Sequence, residues 1–115
     1  MEKSKFDYED NYDRLFISCK KENEVIEGSV RLLNMVLDIT TENRVANIEL
    51  FDASKYLQSL NINSGILNNL TEARFILQKV NDGYHIIIIL NSGQNVVSVP
   101  YNIYYPKKQT ILTSN

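Results

Sequence analysis

The sequence predicts an α+β protein: a strand-rich antiparallel meander sheet with one or two short helices inserted between two sets of strands. Three observations lead there. Apolar and polar residues alternate in separate runs between Asp13 and Phe51 and again between Glu72 and Tyr105, the period expected of half-buried strands. Between those stretches Tyr56, Leu57 and Leu60 fall at a helical spacing. Strand and helix never alternate often enough for a parallel βαβ sheet.

At 115 residues the chain fits one domain. A domain of this size buries roughly two-thirds of its unfolded surface, so it needs neither disulfide nor metal to fold. The expected organisation is a single domain over 1–105, with an N-terminal β-meander (1–53), short helices (54–70) and a three-stranded meander (71–105). Residues 106–115 read as a flexible tail.

The first strand-like stretch is Asp13 to Lys20, where Leu15, Ile17 and Cys19 share a face; Lys5 to Tyr8 is a short neighbour across "EDNY". Lys21 to Gly28 is charged and reads as a connection. Val30 to Thr40 then reads as one strand, with Leu33, Met35, Leu37 and Ile39 on its apolar side and Leu32, Asn34, Val36 and Asp38 on a mixed one. The polar "TENR" joins it to Val45 to Phe51, a hairpin in which Ala46, Ile48 and Leu50 point inward.

The helical segment has Asp52 or Ser54 as its predicted cap, because a short polar side chain can accept from the free amides of the first turn. A second helical turn is expected over Gly65 to Leu70, capped by Ser64. Both helices should lie over the apolar face of the sheet. Glu72 to Val80 and Tyr84 to Leu90 form a hairpin around "NDG", and "NSGQ" turns into a last strand ending at Tyr105. Pro100 cannot donate a ladder hydrogen bond, which places that strand at an edge or gives it a bulge. The run Ile86 to Leu90 is apolar throughout and suggests a strand buried on both faces.

Tyr8, Asp13, Leu15 and Ile17, then Asp38, then Ile48, Glu49, Leu50, Ala53 and Ser54 form a pattern. It resembles the family named domain of unknown function 2283, in long, archaeal-type form. The resemblance covers about the first half of the chain; Asn47 stands where that family usually has glycine. It implies no activity for any residue. Because some members are encoded beside toxin-like genes, the resemblance implies an antitoxin-like, partner-binding role as an alternative.

Charge narrows the partners. Twelve basic and fourteen acidic residues give a net charge of −2, so no nucleic-acid partner is expected without a local basic patch. Tyr101, Tyr104, Tyr105, Lys107 and Lys108 are too thin a footprint for one. Ile86 to Leu90 is too short to cross a bilayer. One cysteine, Cys19, and no apolar leader in "MEKSKFDYED" lead to an expected cytoplasmic location.

Chemistry-bearing residues are sparse. His85 is the single histidine, so a His-based metal site is not formed, and a Cys19–His85 dyad competes with simple packing. Asp7, Glu9, Asp10 and Asp13 lack the glycine and glutamate spacing of a calcium loop. Asp38, Glu49, Asp52 and Ser54 are the one candidate cluster, since carboxylates brought together can drive acid–base chemistry. The leading expectation remains a non-enzymatic interaction domain without metal or cofactor. It should self-associate as a homodimer, because Ile86 to Leu90, Leu32 and Val36 leave apolar surface for a second copy to cover. A partner-binding regulatory module and a small carboxylate enzyme are the alternatives.

Overall fold

The computed structural model describes residues 4–105; the predicted tail, 106–115, lies outside the described residues. The α+β expectation holds, and the strands divide into two antiparallel sheets. The first contains β1 (Lys5–Glu9), β2 (Arg14–Ser18), β3 (Ile26–Leu32), β4 (Met35–Thr40) and β5 (Val45–Phe51), in the order β1-β2-β5-β4-β3. The second is the meander β6 (Glu72–Val80), β7 (Gly83–Ser92) and β8 (Asn95–Tyr104). Helix α1 (Ala53–Ser59) and a 3₁₀ helix (Ser64–Asn69) connect them.

The N-terminal half is a β1-β2 hairpin docked on a β3-β4-β5 meander, with Leu15 opposite Leu50 and Ile17 opposite Ile48. The reason lies in the side chains. Leu15, Ile17, Ala46, Ile48 and Leu50 are all buried, and central strands bury such faces most completely. The largely exposed β3 takes the edge.

One predicted strand is in fact two. The chain reverses at Leu33-Asn34, between Leu32 and its partner Met35. Leu33 has φ 56° and is 74% exposed, away from the apolar face the alternation assigns to it. A two-residue turn also moves Leu32 onto the same face as Met35, where it packs against the core. Leu32 therefore needs no external cover. The segment expected to be a connection supplies the start of β3, with a bulge between Ile26 and Gly28.

The "TENR" hairpin forms as expected. Thr40 is buried, and its hydroxyl accepts from the amides of Glu42 (3.2 Å) and Arg44 (3.1 Å), while Asn43 takes φ 65°. In the second sheet Asn81-Asp82 makes the β6-β7 turn, but the glycine after it serves packing. A Cβ on Gly83 would lie 1.8 Å from the Ile103 carbonyl oxygen, so β8 can approach only a glycine there.

The helices do not roof a single sheet, as expected from the sequence; the two sheets cover each other. Leu15, Ile17, Leu37 and Ile48 meet Ala73, Ile86, Ile88 and Ile103 in one core, with β6 against β1 and β2. Leu57 of α1 and Leu67 of the 3₁₀ helix join it. Leu60, predicted on the inner face of α1, lies past its end and is 37% exposed. The cap of the 3₁₀ helix is Asn63, which accepts from the Gly65 amide at 2.9 Å, and not Ser64.

Strand β7 is not buried on both faces. Ile86, Ile88 and Leu90 are buried, whereas Ile87 is 43% exposed. Alternation therefore survives within the isoleucine run, and its outer half stays in contact with water.

Candidate functional site

The four residues of the predicted cluster lie in four separate settings. Asp38 and Glu49 share the outer face of the first sheet, but Asp38 sits opposite Asn47, and Glu49 opposite Val36. Asp38 accepts from the Ser29 hydroxyl at 2.6 Å and from Asn47 Nδ2 at 2.9 Å. Glu49 pairs with Arg14 at 2.8 Å, and Arg14 also reaches Glu9 at 2.7 Å. Asp52 ends β5 in a left-handed conformation, φ 54°, and its side chain caps nothing. Ser54 turns away towards Asp13. Each carboxylate of the set except Asp52 is held by a donor of its own, and no two share a proton-transfer geometry.

The residue that caps α1 comes from the β1-β2 turn, 41 positions earlier. Asp13 Oδ1 accepts from the Ser54 amide at 2.8 Å and from the Tyr8 hydroxyl at 2.6 Å; Oδ2 accepts from the Ser54 hydroxyl at 2.7 Å. Its carbonyl takes the Ala53 amide at 3.0 Å. Asp13 therefore ties the first hairpin to the helix that leads into the second sheet. Burial works to raise its carboxyl, but the hydrogen bonds from Tyr8, from the Ser54 amide and hydroxyl and from the Lys55 amide outweigh it and lower the pKa. Burial and the bond to Asp13 push the Tyr8 phenol up to about 12. The sequence reading weighs Asp13 only as the start of a strand and as a member of an acidic group without calcium-loop spacing. The signal that could have found this cap is that Tyr8, Asp13 and Ser54 all belong to the resemblance pattern.

A tyrosine pair also joins the layers. Tyr101 of β8 donates to Asn34 Oδ1 in the β3-β4 turn, and Tyr56 of α1 donates to the Pro100 carbonyl. Their rings meet edge to face at 4.9 Å. Tyr101 thus serves the core, while Tyr104 lies on the opposite face against His85 Nε2, 2.9 Å away. Lys107 and Lys108 lie outside the described residues. Cys19 and His85 form no dyad, because His85 points out of the second sheet and Cys19 lies on its inner side. Among the described residues no group of three or more His, Cys, Asp or Glu can hold a metal ion, and no helix is long and apolar enough to cross a membrane.

What remains is a surface. On the outer face of the second sheet Ile76, Ile87 and Pro100 form one cross-strand row, and Arg74, Ile89 and Ser98 form the next. Ile76 is 51% and Ile87 43% exposed. Gln78, His85 and Asn102 bound this patch on one side, Glu72, Asn91 and Val96 on the other. Comparison of the chain with family models, curated proteins and solved structures returns no match.

Proposed function

We propose that this chain is a non-enzymatic interaction domain that pairs with a second copy of itself through the outer face of β6-β8. The carrying observation is the exposed row Ile76–Ile87–Pro100, continued by Ile89. An apolar centre bordered mainly by polar residues is the anatomy of an interface, and contiguous exposed aliphatic surface is costly in an isolated domain. Charge selects the occupant. Glu72 and Arg74 are the charged side chains in these rows, one of each sign, so the face neither repels a copy of itself nor favours a strongly charged partner. Apolar sheet faces pack on each other at a spacing of ~10 Å, and two copies related by a two-fold axis satisfy that geometry with one surface.

Membership of the domain of unknown function 2283 family and a cytoplasmic setting belong to the same proposal. The first is supported by the meeting of Tyr8, Asp13 and Ser54 in one cap, the second by a lone, partly buried thiol. An antitoxin-like partner would use the same outer face and would compete with self-pairing. The enzyme alternative lacks support from geometry, because Asp38, Glu49, Asp52 and Ser54 do not converge.

Sedimentation equilibrium at micromolar concentration tests the pairing. The dimer mass is expected for the parent chain and the monomer mass for Ile87→Lys, whose exposed site leaves the far-ultraviolet circular dichroism unchanged. A monomeric parent chain, or an Ile87→Lys protein that stays dimeric, would overturn the proposal.

A further inference from the structure

The two layers part at one end of the molecule, where β2, β4 and β5 face β6 and β7. The cleft between them measures about 400 Å³, inside the range of small-molecule sites. Its walls are mainly apolar, formed by Cys19, Ile39, Val45, Phe75, Leu77 and Tyr84, with Asn43 beside them. Cys19, Ile39, Phe75 and Leu77 are only partly buried, although Ile17, Leu37 and Ala73, two positions away along the same strands, are fully buried. The core layer is therefore open to solvent along this cleft.

Two cations border it. Arg44 is already committed: its Nε meets Glu24 at 3.0 Å, and its two Nη atoms donate to the carbonyls of Cys19 (2.6 Å) and Val45 (3.3 Å). Lys79 is different. It sits opposite Tyr84 in the β6-β7 ladder and lines the cleft. Lys79 forms no ion pair among the described residues, and no carboxylate lines the cleft. A lysine places its methylene stem along apolar surface and its ammonium in water.

We infer that this cleft binds a small amphipathic anion, with an aliphatic tail among Ile39, Phe75 and Leu77 and a carboxylate on Lys79. A neutral apolar molecule would fill the same walls but leave the ammonium without a counter-charge. A polyanion would find, among the described residues, a single free cation. A monocarboxylate with a medium-length chain matches both the lining and the charge. The site is separate from the outer face of β6-β8 and stands whether or not the chain pairs there.

The full-length chain titrated with decanoate, and in parallel with the neutral alcohol decanol, tests this. Two readouts follow occupancy: the alkylation rate of Cys19, the single thiol, by iodoacetamide, and the methyl resonances of Ile39 and Leu77. Decanoate is expected to slow alkylation saturably, at least 5-fold, and to shift those methyls. Lys79→Glu, a change at an exposed position, should weaken decanoate at least 5-fold and leave decanol within 2-fold. The inference is overturned by non-saturable behaviour, by a Lys79→Glu protein that binds decanoate as the parent does, or by equal losses for both ligands. It is equally overturned if the methyls fail to shift.

Discussion

Removing the Asp13 side chain should uncouple the first hairpin from helix α1. Three hydrogen bonds converge on this carboxylate, from the Tyr8 hydroxyl, the Ser54 amide and the Ser54 hydroxyl. The amide bond is a helix cap, worth about 1 kcal/mol. Each hydroxyl bond is only part-buried and is partly replaced by water on mutation, so each contributes roughly 0.5–1 kcal/mol. Asp13→Gly tolerates the observed φ of 51° but loses all three bonds, for a total of roughly 2–3 kcal/mol. Asp13→Ala loses the same bonds and adds about 1 kcal/mol of left-handed strain. Asp13→Asn keeps an acceptor and tolerates the backbone, and should cost about 1 kcal/mol.

Urea unfolding followed by circular dichroism reads these differences. With a slope of about 1–3 kcal/mol/M, the Ala variant should move the midpoint by at least about 1 M without changing the slope. The parent protein carries a pH signature as well. The folded Asp13 pKa lies below its ordinary value of 3.8, so its contribution is present above that pH and lost as the pH falls through the folded value. Asp13→Asn should lack this acid-side loss. An Asp13→Gly protein within 0.5 kcal/mol of the parent, or the order Gly less stable than Ala, would refute the reasoning.

Three further substitutions test the sheet architecture. Gly83→Ala places a Cβ 1.8 Å from the Ile103 carbonyl oxygen and should cost more than about 3 kcal/mol or prevent folding, whereas Gly28→Ala, with nothing within 4 Å, should change stability by less than about 0.5 kcal/mol; thermal unfolding distinguishes them. Leu33→Gly removes a bulky residue from φ 56° at an exposed turn and should stabilise by about 0.5–1 kcal/mol, read as a raised Tm; a lowered Tm would mean that Leu33 packs.

Alternation carried much of the architecture. Val45 to Phe51 and Glu72 to Val80 are read to the residue, because a two-fold period is a local property of the backbone and each inward position records one contact with the core. It failed at Leu33-Asn34 for the same reason. The side chains on either side of a tight turn remain apolar and polar by turns, and nothing in a run such as "VRLLNMVLDIT" distinguishes a straight strand from a folded one. The isoleucines of β7 misled in the opposite sense. Four apolar side chains in sequence imply two buried faces, yet the second sheet has a partner layer on one side, and Ile87 stays outside.

The candidate site was least legible. Asp38, Glu49, Asp52 and Ser54 come together only if the predicted hairpin pairs Asp38 near Glu49, and their distances depend on strand register and on the path of the chain after β5. Asp52 was an acceptable cap by its chemistry and was displaced by Asp13 because a side chain arriving from the β1-β2 turn reaches both the Ser54 amide and hydroxyl. The cleft around Lys79 carries no sequence signal: its walls come from five strands in two sheets, and Lys79 by itself is an ordinary surface lysine.

The amino-acid order by itself determined that this chain is strand-rich, antiparallel and interrupted once by helix, because spacing of apolar side chains selects local geometry. Only the tertiary structure decided that the strands part into two facing layers, that β2 docks on β5, and which apolar residues are left over. Those outcomes depend on which faces find each other across long stretches of chain, and burial is indifferent to the order in which its partners are written.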